Sequence, residues 1–80
     1  MIKVKNVTPL SEKKIYILFS DGTEKIIDIK PFIKRNNISS KLMNDNYFRK
    51  VFVEDGGGIA WPNGFDFCPV YLYENEFNLK

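Results

Sequence analysis

The chain has no histidine and only one cysteine, and these shortages restrict its chemistry. Without histidine there is no imidazole to act as a general base, to complete a nucleophilic triad or to bind zinc. The single thiol, Cys68, cannot form an internal disulfide, which favours a reducing compartment. We therefore predict a protein that is not an enzyme, with no cofactor or metal, in which Cys68 is structural or caps a helix.

Long apolar runs are also missing. No stretch approaches the roughly 18 residues that a membrane-spanning helix needs. The first residues, Met1 to Lys5, alternate in polarity and lack the apolar centre of a signal peptide. The sequence predicts a cytoplasmic protein with no membrane partner.

A strong charge of one sign is absent, because 12 basic and 10 acidic residues leave a net charge of +2. Two basic pairs, Lys34-Arg35 and Arg49-Lys50, lie near aromatic residues in the sequence. Such clusters can bind single-stranded nucleic acid through charge and stacking. The favoured interpretation is a solvated mixed surface over an aromatic core, and nucleic-acid binding through these four residues is the alternative.

Large apolar side chains are plentiful. Apolar residues make up 44% of the chain, including seven Phe and four Tyr, which suffices for one small core. We predict a single domain over residues 1–80, ordered from about residue 2 to residue 74, with a frayed C-terminal tail.

A β-hairpin is the clearest local prediction. The β-branched and aromatic run Lys14–Ser20 is followed by Asp21-Gly22, which favours a two-residue type I′ turn, and by a return strand Thr23–Ile29. This register places Ile15 opposite Asp28 and leaves both faces largely apolar. An apolar face or edge of this kind could bind a partner protein or a second copy of the chain.

Shorter elements complete an α+β prediction: a small antiparallel sheet of about five strands around the Asp-Gly hairpin, packed with two to four short helices. Asp45 is a candidate helix cap, as is Ser39 or Ser40. The further strands are expected at Ile2–Lys5, Val51–Glu54 and Ile59–Trp61, and the helical turns at Pro31–Arg35, Ser39–Met43, Asn46–Lys50 and Pro69–Glu74.

The triple glycine Gly56–Gly58 does not fit a phosphate-binding loop. A strand is expected after it, and the lysine of such a loop is missing. We interpret it as a hairpin loop. The acids Glu54, Asp55 and Asp66 lack the spacing of a calcium loop.

One segment is more specific than the rest: Trp61-Pro62-Asn63-Gly64-Phe65-Asp66, followed by Cys68-Pro69 and Leu72-Tyr73. Together with Phe19-Ser20-Asp21-Gly22 and the pattern Phe48-x-x-Val51-x-Val53, it resembles the bacterial family called domain of unknown function 2442, over about residues 4–73. Cys68 departs from the small polar residue expected there.

The resemblance implies a compact α+β domain with no established activity. Members resemble accessory proteins that are sometimes fused to a helix-turn-helix domain and often encoded beside another small protein, which implies a regulatory or partner-binding role. We predict an interaction module for another small protein, with Trp61, Asn63, Gly64 and Asp66 as candidate binding residues. A purely structural role for this turn is the competing interpretation.

Overall fold

The computed structural model describes residues 2–35 and 37–74. That part of the chain contains six β-strands, two 3-10 helices (η) and two α-helices. In chain order they are β1 Val4–Pro9, β2 Lys14–Phe19, β3 Glu24–Asp28, η1 Lys30–Phe32, η2 Ile38–Met43, α1 Asp45–Phe48, β4 Phe52–Val53, β5 Ile59–Ala60, β6 Asp66–Phe67 and α2 Pro69–Glu74.

The strands form two antiparallel three-stranded sheets, in the orders β1-β2-β3 and β4-β5-β6. The α+β class is confirmed, whereas the single sheet of about five strands is wrong. The strand β6 was not predicted, because two residues after a turn carry too little periodicity to be recognised. The sheets meet where the Val4 N–H donates to the Gly57 carbonyl oxygen, at 2.7 Å.

The hairpin of β2 and β3 forms, but its predicted register is wrong by one residue. Ile15 pairs with Ile27, and Asp28 pairs with Lys14. The reason is the turn, which is a three-residue loop with Gly22 at φ +91° and not a two-residue type I′ turn. One residue of slip moves every side chain of β3 to the other face, so Asp28 lies on the outer face with Lys14 and not among the buried isoleucines.

The type I′ geometry occurs instead between β1 and β2. Both Glu12 and Lys13 have positive φ, at +59° and +61°, and the Lys14 N–H closes the turn by donating to the Ser11 carbonyl oxygen at 3.3 Å. Neither residue type prefers this conformation, which for a non-glycine residue costs about 1–2 kcal/mol. Tertiary packing of the two strands therefore overrides local preference at this turn.

Short helices form near each predicted helical turn, but the first is a three-residue 3-10 helix, Lys30–Phe32, in place of Pro31–Arg35, and the caps differ from those expected. The Asn37 side chain accepts the Ser39 N–H at 2.8 Å, and the Asn44 side chain accepts the Tyr47 N–H at 3.0 Å. These asparagines are the N-caps of η2 and α1. The candidate caps Ser39 and Asp45 instead lie inside the elements, because the asparagine directly before each element fills the same role. The range Pro69–Glu74 was predicted correctly.

A single apolar core joins both sheets and the helices. Its central residue is Trp61, which is 1% exposed. The first sheet buries one face of β2 and β3, while the short helices contribute Leu42, Phe48 and Leu72. The remaining core residues are Val4, Ile15, Ile17, Phe19, Ile27, Ile29, Ile59 and Phe67. The hairpin is therefore covered on one face by the chain itself, and its outer face carries Tyr16, Leu18 and the half-exposed Ile26.

Two of the three glycines after β4 are structural. Gly57 has φ +91°, and a Cβ on Gly58 would lie 2.3 Å from the Phe67 carbonyl oxygen. Gly56 has open space around it. The triplet forms the β4–β5 loop, where the Glu54 N–H donates to the Gly58 carbonyl oxygen at 3.0 Å, and the hairpin prediction is confirmed.

The helix α2 is fixed to the first hairpin. The Lys25 Nζ donates to the carbonyl oxygens of Leu72 and Tyr73, at 3.1 and 2.6 Å, and the Tyr73 hydroxyl donates to Asp21 at 2.5 Å. Lys25 thereby supplies positive charge at the C-terminal end of α2. The tail predicted to fray lies outside the described residues. None of the helices in the described part is both long and apolar enough to cross a membrane.

Candidate functional site

In the Trp61–Phe65 turn, a three-residue hairpin loop, residues 62–64, connects β5 to β6. The Gly64 N–H donates to the Trp61 carbonyl oxygen at 3.0 Å, and the Trp61 N–H donates to the Phe65 carbonyl oxygen at 2.9 Å. Gly64 has φ +94°, which glycine tolerates better than any other residue. Pro62 stands at the second position of the turn, where its fixed φ is favourable.

Trp61 is a core residue. Its Nε1–H donates to the Phe48 carbonyl oxygen at 2.9 Å, and its ring contacts the rings of Phe48, Phe65 and Phe67. Because the side chain is 1% exposed, it offers no surface to a partner. Partner binding at this turn stays a prediction, and the surface that could carry it belongs to Asn63, Gly64 and Asp66.

Asn63 ties the turn to the start of η2. Its Oδ1 accepts the Phe65 N–H at 3.1 Å, and its Nδ2 donates to the Ile38 carbonyl oxygen at 2.8 Å. Asn63 is therefore the side-chain acceptor within this turn. Asp66 is an exposed residue of β6 opposite Ala60.

Beside Asn63 lies a surface that we name the cation–amide face. It consists of two shallow, open depressions that share Lys41. One depression extends from Lys41 to Asn63, and the other from Lys41 to Lys50. The lining residues are Arg35, Asn37, Ile38, Ser40, Lys41, Asn44, Asn46, Tyr47, Lys50 and Asn63.

The structure divides the two basic pairs predicted from the sequence. Arg35 and Lys50 line the cation–amide face, and their sequence neighbours Lys34 and Arg49 do not. Arg49 lines a separate depression that also contains Glu12 and Asp45.

The missed residue is Lys41, which connects the two depressions. The feature of the sequence that could have drawn attention to Lys41 is its composition, since four asparagines fall within positions 36–46 around this lysine. That signal marks a polar segment, and it carries no information about which side chains share a face.

The Asp45 carboxylate, at the start of α1, lines the separate depression that contains Arg49. The Asp45 carboxylate forms an ion pair with the Lys13 ammonium group. This hydrogen bond and the Lys13 charge lower the pKa of Asp45, and the Arg49 charge contributes as well. Positions 45 and 49 share one side of the helix by their spacing. Among the described residues, this face is lined by three cationic side chains and by no carboxylate.

The helix caps orient two amides of the face. The Oδ1 atoms of Asn37 and Asn44 accept backbone N–H groups at 2.8 and 3.0 Å. The Nδ2 groups of these exposed residues are donors only. The caps therefore leave the face rich in donors.

Two lysine ammonium groups cover the Tyr47 ring, which is the aromatic ring on this face. The Nζ atoms of Lys41 and Lys50 lie over the Tyr47 ring, at 5.7 and 5.8 Å from its centroid. Tyr47 also packs against the apolar core. The neighbouring aromatic residue Phe48 is 2% exposed. A nucleic-acid base would have to displace a lysine before it could stack on Tyr47.

Other candidate chemistry is scattered. The thiol of Cys68 is exposed directly before α2. The Tyr16 hydroxyl donates to Glu24 on the outer face of the hairpin, and this hydrogen bond raises the pKa of Tyr16. Within the described residues, no three His, Cys, Asp or Glu side chains are grouped so that they could hold a metal ion.

Comparison with protein-family models gives one match, described as a protein of unknown function (DUF2442), over residues 4–78. The chain belongs to the DUF2442 family. The resemblance inferred from the turn and hairpin residues is thereby confirmed. Comparisons with curated proteins and with solved structures found no match to this DUF2442 chain.

Proposed function

We propose that this DUF2442 chain is a non-catalytic interaction module that binds another small protein, encoded by a neighbouring gene, through the cation–amide face. The observation that carries the proposal is the continuity of that face from Asn63 across Lys41 to Lys50. Through Asn63, the Trp61–Phe65 turn lies at one end of this polar surface.

The shape of the face supports a protein partner over a small molecule. Small ligands are usually enclosed in a cleft that buries most of their surface, whereas both depressions here are open. Ile38, which is 51% exposed, adds an apolar contact among the polar groups. Interfaces between separate proteins commonly combine such apolar contacts with a polar rim.

The role we propose is regulatory. In this proposal, the module changes its partner's activity, stability or localisation by binding. The Trp61–Phe65 turn supports this role structurally, because Asn63 holds η2 in place through the Ile38 carbonyl oxygen.

Co-expression with the protein encoded by the adjacent reading frame tests the proposal. We expect the two proteins to co-elute in size-exclusion chromatography as a complex. The variant Ile38→Glu places a charge on the face and should abolish co-elution. Ile26→Glu is the matched control, because Ile26 is similarly exposed, at 48%, on the outer face of the hairpin.

Three outcomes separate the surfaces. Loss of the complex with Ile38→Glu alone supports the cation–amide face. Loss with Ile26→Glu alone moves the interaction to the hairpin, where a partner or a second copy could dock. A monomeric protein that captures no neighbouring gene product contradicts the proposal altogether.

Nucleic-acid binding is the second candidate, and the alignment of Arg35, Lys41 and Lys50 along one face favours it. It predicts binding that weakens steeply with salt, because phosphate contacts release counterions. A gel-shift series over increasing salt measures this dependence. The occupied ring of Tyr47 places this candidate second, since base stacking is a main source of affinity for single strands.

A further inference from the structure

We propose that the cation–amide face binds an acidic segment of the partner protein, with its carboxylates held by Lys41, Lys50 and Arg35. This inference rests on the proposed function and specifies the chemistry of the partner. It makes Lys41, where the two depressions join, the central contact.

The charge distribution is the first argument. Within residues 2–35 and 37–74, three cations and no carboxylate line the face, although the whole chain is nearly neutral at +2. The adjacent acid, Asp45, is paired with Lys13. A complementary surface is therefore negative, and an acidic segment gains affinity and association rate from it.

The hydrogen-bond polarity is the second argument. Because Asn37 and Asn44 use their oxygens as caps, they turn their NH2 groups to the surface as donors. Lysine and arginine also provide donors only. A ligand rich in hydrogen-bond acceptors can bind these donors. Carboxylates are suitable acceptors, because they form short hydrogen bonds with charged donors.

Two observations favour an acidic protein segment over a nucleic acid, which would also supply anions. The Tyr47 ring carries Lys41 and Lys50 and rests on the core, so it offers no stacking platform. The exposed Ile38 matches an apolar side chain, which a nucleic-acid backbone does not present. We therefore expect acidic residues interspersed with apolar ones in the bound segment.

The test uses a defined probe: a peptide in which pairs of glutamates alternate with single leucines. Titration into the isotope-labelled full chain is followed by NMR. We expect the side-chain amide signals of Asn37, Asn44 and Asn46 to shift, while the hairpin signals of Tyr16 and Ile26 stay in place. The same peptide with glutamine for glutamate should leave all signals unchanged.

Charge variants test the assignment. Lys41→Gln and Lys50→Gln should each weaken peptide binding by about two- to fivefold, the range for one exposed ion pair. Lys5→Gln is the matched control, because it removes the same charge from an exposed position on β1. It should change the affinity by less than about twofold. Thermal unfolding of all three variants checks that the fold is intact.

These experiments distinguish failure of the acidic-segment proposal from failure of the proposed interaction with a neighbouring protein. If the neighbouring protein binds and both the peptide and the charge variants have no effect, the acidic-segment proposal is overturned while the interaction module stands. If Lys41→Gln weakens both the peptide and the co-expressed partner, both proposals are supported. If an oligothymidylate of about twelve nucleotides binds more tightly than the peptide and loses affinity in the same variants, nucleic acid replaces the acidic segment.

Discussion

The turns Phe19–Thr23 and Trp61–Phe65 have the same backbone design and differ in what their tips hold. Each begins with a buried aromatic residue and has glycine at its fourth position, with φ of +91° and +94°. In each, the third residue accepts the N–H two positions later: Asp21 at 2.9 Å and Asn63 at 3.1 Å. The backbone turn is therefore common to both.

The difference between acid and amide decides which element each turn fixes. The Asp21 carboxylate accepts the Tyr73 hydroxyl and so holds α2. The Asn63 amide has a donor, which reaches the Ile38 carbonyl oxygen and holds η2 beside the cation–amide face. The two third residues differ at one atom, which is an accepting oxygen in Asp21 and a donating nitrogen in Asn63. The first turn therefore supports the core, and the second also positions a candidate binding surface.

The largest expected effect concerns the first residue of each turn. Trp61→Phe should lower the free energy of unfolding by about 3 kcal/mol, because it leaves the Phe48 carbonyl oxygen unsatisfied and opens a cavity. Phe19→Leu shortens a core side chain that has no donor and should cost about 1 kcal/mol. Chemical denaturation measures both values. Equal losses would show that the Trp61 hydrogen bond does not distinguish the two turns.

The next effect concerns Glu54–Gly58, a third turn with the same backbone hydrogen bonds but with no aromatic first residue and no side-chain acceptor at its third residue, Gly56. Gly58→Ala should destabilise the protein by about 2 kcal/mol, since the added methyl group meets the Phe67 carbonyl oxygen. Gly56→Ala, where nothing is near, should stay within about 0.5 kcal/mol of the parent. Thermal unfolding compares the pair, and a neutral Gly58→Ala would contradict the close approach of β6.

Exchanging the third residues tests the comparison directly. Asn63→Asp keeps the acceptor for the turn but places a carboxylate oxygen against the Ile38 carbonyl, and we expect a loss of about 1–2 kcal/mol. Asp21→Asn keeps its acceptor and presents an NH2 group to the Tyr73 oxygen, so its loss should be smaller. Denaturant midpoints rank the two variants, and the reverse order would break the proposed distinction.

Acid should weaken the Asp21 turn and leave the Asn63 turn unaffected. Hydrogen bonds from the Tyr73 hydroxyl, then from Thr23, lower the pKa of Asp21. A carboxyl group with a lowered folded-state pKa stabilises the fold above its ordinary value, about 3.9, and this contribution disappears as pH falls through the lower folded value. Unfolding measured between neutral pH and pH values below about 4 should show less acid sensitivity in Asp21→Asn. Unchanged acid sensitivity would contradict this role.

The smallest effect belongs to the β1–β2 turn, where ordinary residues adopt positive φ. Glu12→Asn should stabilise the protein by about 0.5 kcal/mol, because asparagine tolerates this conformation better than glutamate. Glu12→Gln removes the same charge without that preference and serves as the control. Equal stability of the two variants would show that the positive φ carries no strain.

The sequence predicted the parts of this fold that local chemistry determines. The strands β2 and β3, the α2 range and the family turn all follow from residue type and spacing. The hairpin register did not follow, since Asp-Gly is compatible with both a two-residue turn and the observed three-residue loop. The three-residue loop pairs Ile15 with Ile27 in the core and leaves Asp28 on the outer face, opposite Lys14.

The candidate surface was predicted less well than the fold. Arg35, Lys50 and Asn63 were singled out, but the sequence does not reveal that they lie along one face. Lys41 was missed because it is isolated in the sequence, and Arg49 was included because it neighbours Lys50. Which side of α1 each charge occupies depends on the pairing of Asp45 with Lys13, 32 residues apart.

Hydrogen exchange of the complex with the neighbouring gene product tests the central claim most directly. If the cation–amide face is the interface, amide exchange should slow in residues 37–50 and around Asn63, while β3 keeps its exchange rates. Protection of β3 with unchanged exchange in residues 37–50 would contradict the account and place the interface on the hairpin.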